Sequence, residues 1–195
     1  MYEFGMAMGP LAVSDLAGLD IGWAKRKAAG NGVATDIPGS FVPNRLCEMG
    51  RYGQKTNRGY YLYEKGSRAP VPDPEVKDFA EQAARKFGIG PRNFDDREIL
   101  ERCLYPLINI GAAILEEGIA LRASDIDLVY LNGYGFPVWR GGPMHWAGVI
   151  GLDVVAAGVR QYSRKSDLGH WKLSGVLENL ADDGKTFEDY DKENQ

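Results

Sequence analysis

Apolar positions along this chain recur mostly at helical spacing. Residues 10–17 form a short apolar stretch that predicts a helix, and Asp20 predicts the cap of a second helix reaching about Ala29. Pro38, Gly39 and Pro43 predict a loop over 30–43, followed by a helix over Asn44–Met49 that stops at Gly50. Gly50 to Gly59 is basic and glycine-punctuated and leads into Tyr60-Tyr61-Leu62-Tyr63, which predicts a loop and a short extended segment. Pro70, Pro72 and Pro74 mark a linker. Val76, Phe79, Ala80, Ala83 and Phe87 share one face of a helix over 75–87. The longest periodic run, about Asp96 to Glu117, carries an apolar stripe broad enough to be buried, with Pro106 expected to kink it and Gly118 to end it. Ser124 with Asp127 resembles a capping box for a helix over 125–132. Further helices are expected over 151–164 and near Leu173–Leu180. The pattern is all-α.

One pattern occurs twice. Gly9-Pro10 precedes Gly18-Leu19-Asp20 by the same spacing that separates Gly142-Pro143 from Gly151-Leu152-Asp153. In the second copy, glycines 133, 135, 141 and 142 predict short helices joined by tight turns. The expected organisation is a first helical repeat over 1–69, a linker and short helix over 70–95, a second repeat over 96–182, and a frayed polar tail over 183–195. The first copy begins almost at Met1, so the first repeat is expected to lack its opening helix.

Composition narrows the function classes. The 195 residues are 44% hydrophobic and 26% charged, with a formal net charge of −4. That charge, spread along the chain, gives no reason to expect a nucleic-acid surface. No apolar run reaches the roughly 20 residues that span a bilayer. Two cysteines, Cys47 and Cys103, lie among apolar residues on expected helices and read as buried free thiols of a reducing compartment. The expected location is cytoplasmic, as in a bacterium, or peroxisomal if the chain is cut from a longer protein.

Searches for self-contained chemistry find little. No Gly-x-Gly-x-x-Gly follows a strand, no Gly-x-Ser-x-Gly occurs, and no cluster of His, Cys and carboxylates has metal spacing. The histidines are His145 and His170. His145 reads either as a general acid or base, or as a side chain packed on Trp146 and hydrogen-bonded locally. His170 is expected to be exposed. Asp15, Asp20 and Asp153 read as helix-terminus residues. From the residues alone this is a helical module without its own active site.

Several motifs nevertheless resemble a known family. They are Phe4 to Pro10 with Ser14 to Asp20, Gly53 to Tyr63, Glu98 to Asn109, and Gly133 to Met144. Together, in this order, they resemble the C-terminal part of L-3-hydroxyacyl-CoA dehydrogenases, as found in the multifunctional enzymes of fatty-acid β-oxidation. The resemblance implies two helical repeats packed on each other. It implies an oxidoreductase that passes hydride from a 3-hydroxyacyl-CoA to NAD, the NAD being held by a Rossmann domain absent from these residues. The family's catalytic His, Glu and Asn are expected upstream of Met1, so no catalytic, cofactor-binding or metal-binding residue is assigned here and the isolated chain is expected to be inactive. Asn109 occupies the related position of the second repeat, in Asn109-Ile110-Gly111 where the family commonly has Asn-Glu-Ala. Met8, Gly9 and Pro10 are the candidate substrate-binding residues, beside the acyl chain, with a plain helix-start turn as the alternative. The implied partners are acyl-CoA and the Rossmann domain. Self-association is expected through apolar surface that a missing helix would leave uncovered. Lys55 and Arg58 are a further candidate, as phosphate contacts for CoA.

Overall fold

A computed structural model of the chain describes residues 1–30, 32, 34–90, 92–164 and 169–194. The chain divides into two compact units. One is Met8–Asn93, and the other is Phe94–Gln195 together with Met1–Ala7.

In the Met8–Asn93 unit, α1 (Pro10–Ala17) and α2 (Leu19–Ala29) meet at Gly18. Gly18 has φ 100°, a conformation that L side chains avoid, so the chain turns there within a single residue. Gly18 is itself the N-cap of α2, which places Asp20 inside the first turn rather than at the cap. Helix α3 (Phe41–Glu48) begins earlier than expected. Pro43 falls within its first turn, where no intrahelical donor is required, so the ring does not block the helix. The extended segment appears as β1 (Tyr61–Leu62), antiparallel to β2 (Val71–Pro72) with Tyr61 opposite Pro72. Asp73 caps α4 (Pro74–Lys86), whose first residue is Pro74. The prolines expected to form a linker are therefore folded into this unit. Its core is Leu19, Leu46 and Cys47, with Trp23, Tyr52, Tyr60 and Phe79 packed around them.

The second unit is built on α5 (Asp96–Glu116), which is assigned as one helix through Pro106 and ends before Gly118 at φ 69°. It is followed by α6 (Ala123–Gly133), a 3₁₀ turn at Val138–Arg140, α7 (Pro143–Ile150) and α8 (Leu152–Ser163). A second 3₁₀ turn, Gly169–Trp171, precedes α9 (Gly175–Asp182) and α10 (Phe187–Glu193). Ile108, Ala112, Met144, Ala147, Val155, Ala156 and Leu177 form the centre of its core. Gly111 brings α5 against α7: a Cβ there would lie 2.7 Å from the Met144 sulfur. A smaller cluster joins Phe4 to Leu104 and Phe136, so the first residues of the chain pack with this unit. Arg140 fixes that segment by stacking over the Phe4 ring at 4.0 Å and donating to the Phe4 carbonyl.

Where the sequence predicts a frayed tail, Phe187–Glu193 form helix α10. Thr186 and Asp189 form a reciprocal capping box at the start of α10, and Phe187 is buried in the core. The aromatic anchor and the cap outweigh the polar composition that pointed to disorder.

The repeated sequence pattern is repeated in structure. Helices α1 and α7 both open on proline and both end at a glycine with φ near 100° (100° at Gly18, 95° at Gly151), which leads directly into α2 or α8. Among the described residues the fold is all-α apart from the two-stranded ladder of β1 and β2.

Candidate functional site

Two polar constellations stand out, one in each unit. In Met8–Asn93 the centre is Asp15, on α1 and 1% exposed. Its carboxylate accepts from the Tyr60 and Tyr61 amides at 2.9 and 3.0 Å and from the Tyr63 hydroxyl at 2.9 Å. The glycine loop is shaped to reach it. A Cβ at Gly59 would overlap the Asp15 carboxylate, and one at Gly53 would overlap the Asp15 backbone. Burial and the Asp15 carboxylate push the Tyr63 hydroxyl far up, which keeps it a donor. The glycines thus serve a buried anion of the chain itself, and the loop leads into a strand, as the sequence predicted.

The loop's cations are also engaged internally. Arg51 is buried, with its guanidinium donating to the Gly59 carbonyl at 2.6 Å, Asp73 at 2.7 Å and Glu75 at 3.0 Å. Arg58 donates to the same two carboxylates at 3.0 and 2.8 Å. Burial pulls Asp73 upward, but the Glu75 amide and the two arginines hold it below its usual range. Lys55 pairs with Asp20 at 2.5 Å. Lys55 and Arg58 nevertheless keep about half of their side chains in solvent, 50% and 41% exposed.

Met8 and Gly9 are half-buried and Pro10 is exposed. Gly9 is the N-cap of α1 with an extended backbone, φ −80° and ψ 163°, and Pro10 is the first helical residue. The Ser14 hydroxyl donates to the Pro10 carbonyl at 2.9 Å. The three residues form the helix-start turn, and any contact with an acyl chain would be made from its exposed side.

In the second unit the helix ends are capped from a distance. Asp127 on α6 accepts from the Met144 and His145 amides at the start of α7, at 2.7 and 3.0 Å. Asp191 on α10 accepts from the Ala123 and Ser124 amides at the start of α6, at 2.6 and 3.1 Å. Glu116 on α5 accepts from the Gly175 amide at the start of α9. The expected pairing of Ser124 with Asp127 as a capping box is replaced by these contacts, because Asp127 turns inward to α7 and Ser124 donates to Asp191. Burial pushes Asp127 up to about 6, against the pull of the two amides it accepts from.

His145 lies at the edge of this arrangement with an exposed ring whose Nδ1 is 2.9 Å from Glu188 of α10. Trp146 packs edge-on against Phe4 at 5.0 Å. His145 therefore bridges α7 to α10 instead of resting on Trp146. A cavity of about 330 Å³ between Asp127, Leu131, His145, Phe187 and Asp191 adjoins it. His170 is half-buried against Trp171, where it had been expected in solvent. Asn109 is buried, donates to the His170 and Lys172 carbonyls and accepts from the Ser174 amide, so its amide staples the turn before α9. Burial raises both thiols, Cys47 to about 11, which suits inert core cysteines. Among the described residues no group of three metal-ligating side chains comes together.

Asp15 and Asp127 were not legible as buried acceptors in the sequence, nor Asp191 as the cap of α6. The available signal was Gly53 and Gly59 flanking a basic loop, which shows a close approach but not to what.

The family model for the 3-hydroxyacyl-CoA dehydrogenase C-terminal domain matches residues 1–63 and 99–192. The human peroxisomal bifunctional enzyme is 44% identical over 94% of this chain, and a peroxisomal fatty acid beta-oxidation multifunctional protein from Oryza sativa is 34% identical over 92%. The chain spans only 27% and 25% of these relatives' lengths. The dehydrogenase part of multifunctional enzyme 1 from C. elegans superposes with a TM-score of 0.68 at 27% identity, covering 91% of this chain and 40% of that one. A 3-hydroxybutyryl-CoA dehydrogenase from Escherichia coli shares the fold, with a TM-score of 0.62 at 17% identity, over 93% of this chain and 52% of that one. The paired proline-opened helices and the matched stretches that contain them place this chain in the 3-hydroxyacyl-CoA dehydrogenase C-terminal domain family.

Proposed function

We propose that this chain is the substrate-side helical portion of an NAD-dependent 3-hydroxyacyl-CoA dehydrogenase of fatty-acid β-oxidation, and that it is inactive alone. The observation that carries the reading is the family match on both sides of α4, together with relatives named as β-oxidation multifunctional proteins. In the whole enzyme the 3-hydroxyl of an acyl-CoA becomes a ketone and NAD accepts the hydride. The described residues do not fit NAD. Gly53 and Gly59 close around Asp15, and Lys55 and Arg58 are ion-paired. The cofactor is therefore assigned to a separate NAD-binding domain, with which this chain would partner. Within the chain, Met8, Gly9 and Pro10 are the residues proposed to border the acyl chain. No helix among the described residues is long and apolar enough to cross a membrane. The relatives' names make a peroxisomal setting the finer proposal.

Acetoacetyl-CoA and NADH provide the test. Incubated with both, this chain alone gives no protein-dependent oxidation of NADH, whereas the polypeptide joining it to an NAD-binding domain does. In that polypeptide Met8→Ala raises KM for long acyl chains more than for acetoacetyl-CoA. Turnover by the chain alone, or none by the joined polypeptide, would sink the reading.

Self-association is a second reading, favoured by one observation. Leu11, Val13 and Leu16 on α1 are each more than 40% exposed, and Ile21 on α2 is 66% exposed.

A further inference from the structure

The 3₁₀ turn Val138–Arg140 presents two large apolar side chains to solvent. Val138 and Trp139 are 77% and 71% exposed, although apolar residues of that size are usually drawn inward. The turn that carries them is fixed. The Arg140 amide donates to the Pro137 carbonyl at 2.9 Å and the Gly141 amide to the Val138 carbonyl at 3.0 Å. Pro137 is buried, and Gly5 makes room for it, since a Cβ there would fall 2.9 Å from the Pro137 ring. The outward pose belongs to a held turn, not to a loose loop.

Arg140, next to them, is held but not neutralised. Its guanidinium lies 4.0 Å from the centroids of both the Phe4 and the Trp139 rings, and its Nε donates to the Phe4 carbonyl at 2.9 Å. Neither Glu3, beside Phe4, nor any other carboxylate of the described residues pairs with it. The Nη nitrogens take no acceptor among the described residues and are not enclosed, so the fork reaches solvent next to the Trp139 ring. Ring contacts and the Nε bond already restrict the side chain, so an incoming acceptor meets a pre-organised pair of donors.

Charge selects the partner. Between Arg122 and Arg160, Arg140 is the single Lys or Arg, so a polyanion or an anionic membrane meets one charge here and no basic patch. One carboxylate matches the fork in both charge and shape. An arginine beside an exposed tryptophan on fixed backbone is also the composition of interface hot spots. We propose that the turn Val138–Arg140 docks a protein segment that presents an Asp or Glu carboxylate beside an aliphatic side chain. The carboxylate takes the Nη edge of Arg140, and the aliphatic group covers Val138 and Trp139. This inference does not depend on the dehydrogenase reading.

The test selects random peptides displayed on phage against the whole chain and titrates a recovered peptide into ¹⁵N-labelled protein. The recovered peptides are enriched in Asp or Glu next to Leu, Ile or Val, and they shift the Val138 and Gly141 amides, the Trp139 indole N–H and the Arg140 Nε–H. Arg140→Gln weakens binding about tenfold or more, the loss typical of a hot-spot residue. Because that change could also loosen Phe4, Val138→Gln is the second variant: it alters only an exposed side chain and weakens binding while Arg140 stays in place. Leu121→Gln, equally exposed on the same unit, leaves the affinity as it was. Recovery of no binding peptide, shifts centred away from this turn, or affinity that survives both Arg140→Gln and Val138→Gln would overturn the site. Peptides without acidic enrichment would overturn the partner chemistry, as would co-sedimentation with phosphatidylserine vesicles that Val138→Gln abolishes.

Discussion

At the scale of single residues, the chain's buried acids decide its local structure. Asp15 accepts from two backbone amides and a hydroxyl, all three from residues 60–63, far along the sequence. Replacing it by Asn keeps the shape but turns an NH₂ toward a donor, leaving up to two buried groups unpaired at about 1–3 kcal/mol each. Asp15→Asn is therefore expected to lower unfolding free energy by about 2–5 kcal/mol in urea titrations. Asp153→Asn, an exposed change in the first turn of α8, is expected to cost about 1 kcal/mol or less. Equal effects would mean that both act only at helix ends, which is how the sequence alone presents them. Nothing near Asp15 in the chain marks it as different from Asp153. What separates them is the Gly53-to-Tyr63 loop, and its approach is a tertiary fact.

Among the elements, the helices were legible and their caps were not. Helix α1, α4, α5 and α8 fall within one or two residues of the ends that periodicity, Pro10, Pro74 and Gly118 predict, because those signals are local. The caps of α6, α7 and α9 come from Asp191, Asp127 and Glu116 on other helices, which no local motif encodes. The same reason hid α10: its order rests on Phe187 entering a core formed elsewhere in the sequence. Asp127 gives this architecture a pH signature. Its carboxyl is raised in the folded state, from an ordinary 3.8 to about 6, so the folded state binds the proton more tightly than the unfolded one. The associated stability is fully present below about pH 4 and is lost as pH rises through about 6, a change of about 2–3 kcal/mol. Asp127→Asn removes this titration. The difference in unfolding free energy between wild type and Asp127→Asn should accordingly shrink from pH 4 to pH 6.5 and be flat above it. A difference that grows with pH over that interval would mean the two amides, not burial, dominate the carboxyl.

For the whole molecule, the family was legible because its motifs are long and ordered, and the repeat because Gly-Pro openings and the Gly18 and Gly151 turns leave a fixed spacing. The surface is a different matter, since exposure depends on which face each amphipathic helix buries. Helix α1 buries Ala12 and Asp15, and that choice turns Leu11, Val13 and Leu16 outward, with Ile21 following on α2. Val13 and Leu16, three residues apart on α1, share an exposed apolar face of the kind that marks an interface. Burying a leucine or valine side chain contributes about 1.5–3 kcal/mol, so a pair of such patches offsets a useful part of the entropy of association. Sedimentation equilibrium over a concentration series should therefore show an average mass that rises above that of one chain. The double substitution Val13→Gln and Leu16→Gln should restore the single-chain mass without changing the circular dichroism spectrum, because both side chains already face solvent within one chain. A wild-type mass that stays at one chain throughout the series would remove self-association as a function of this surface. Leu11, Val13 and Leu16 would then be surface that this chain leaves exposed on its own, and contact with the proposed NAD-binding partner would be the next interface to measure.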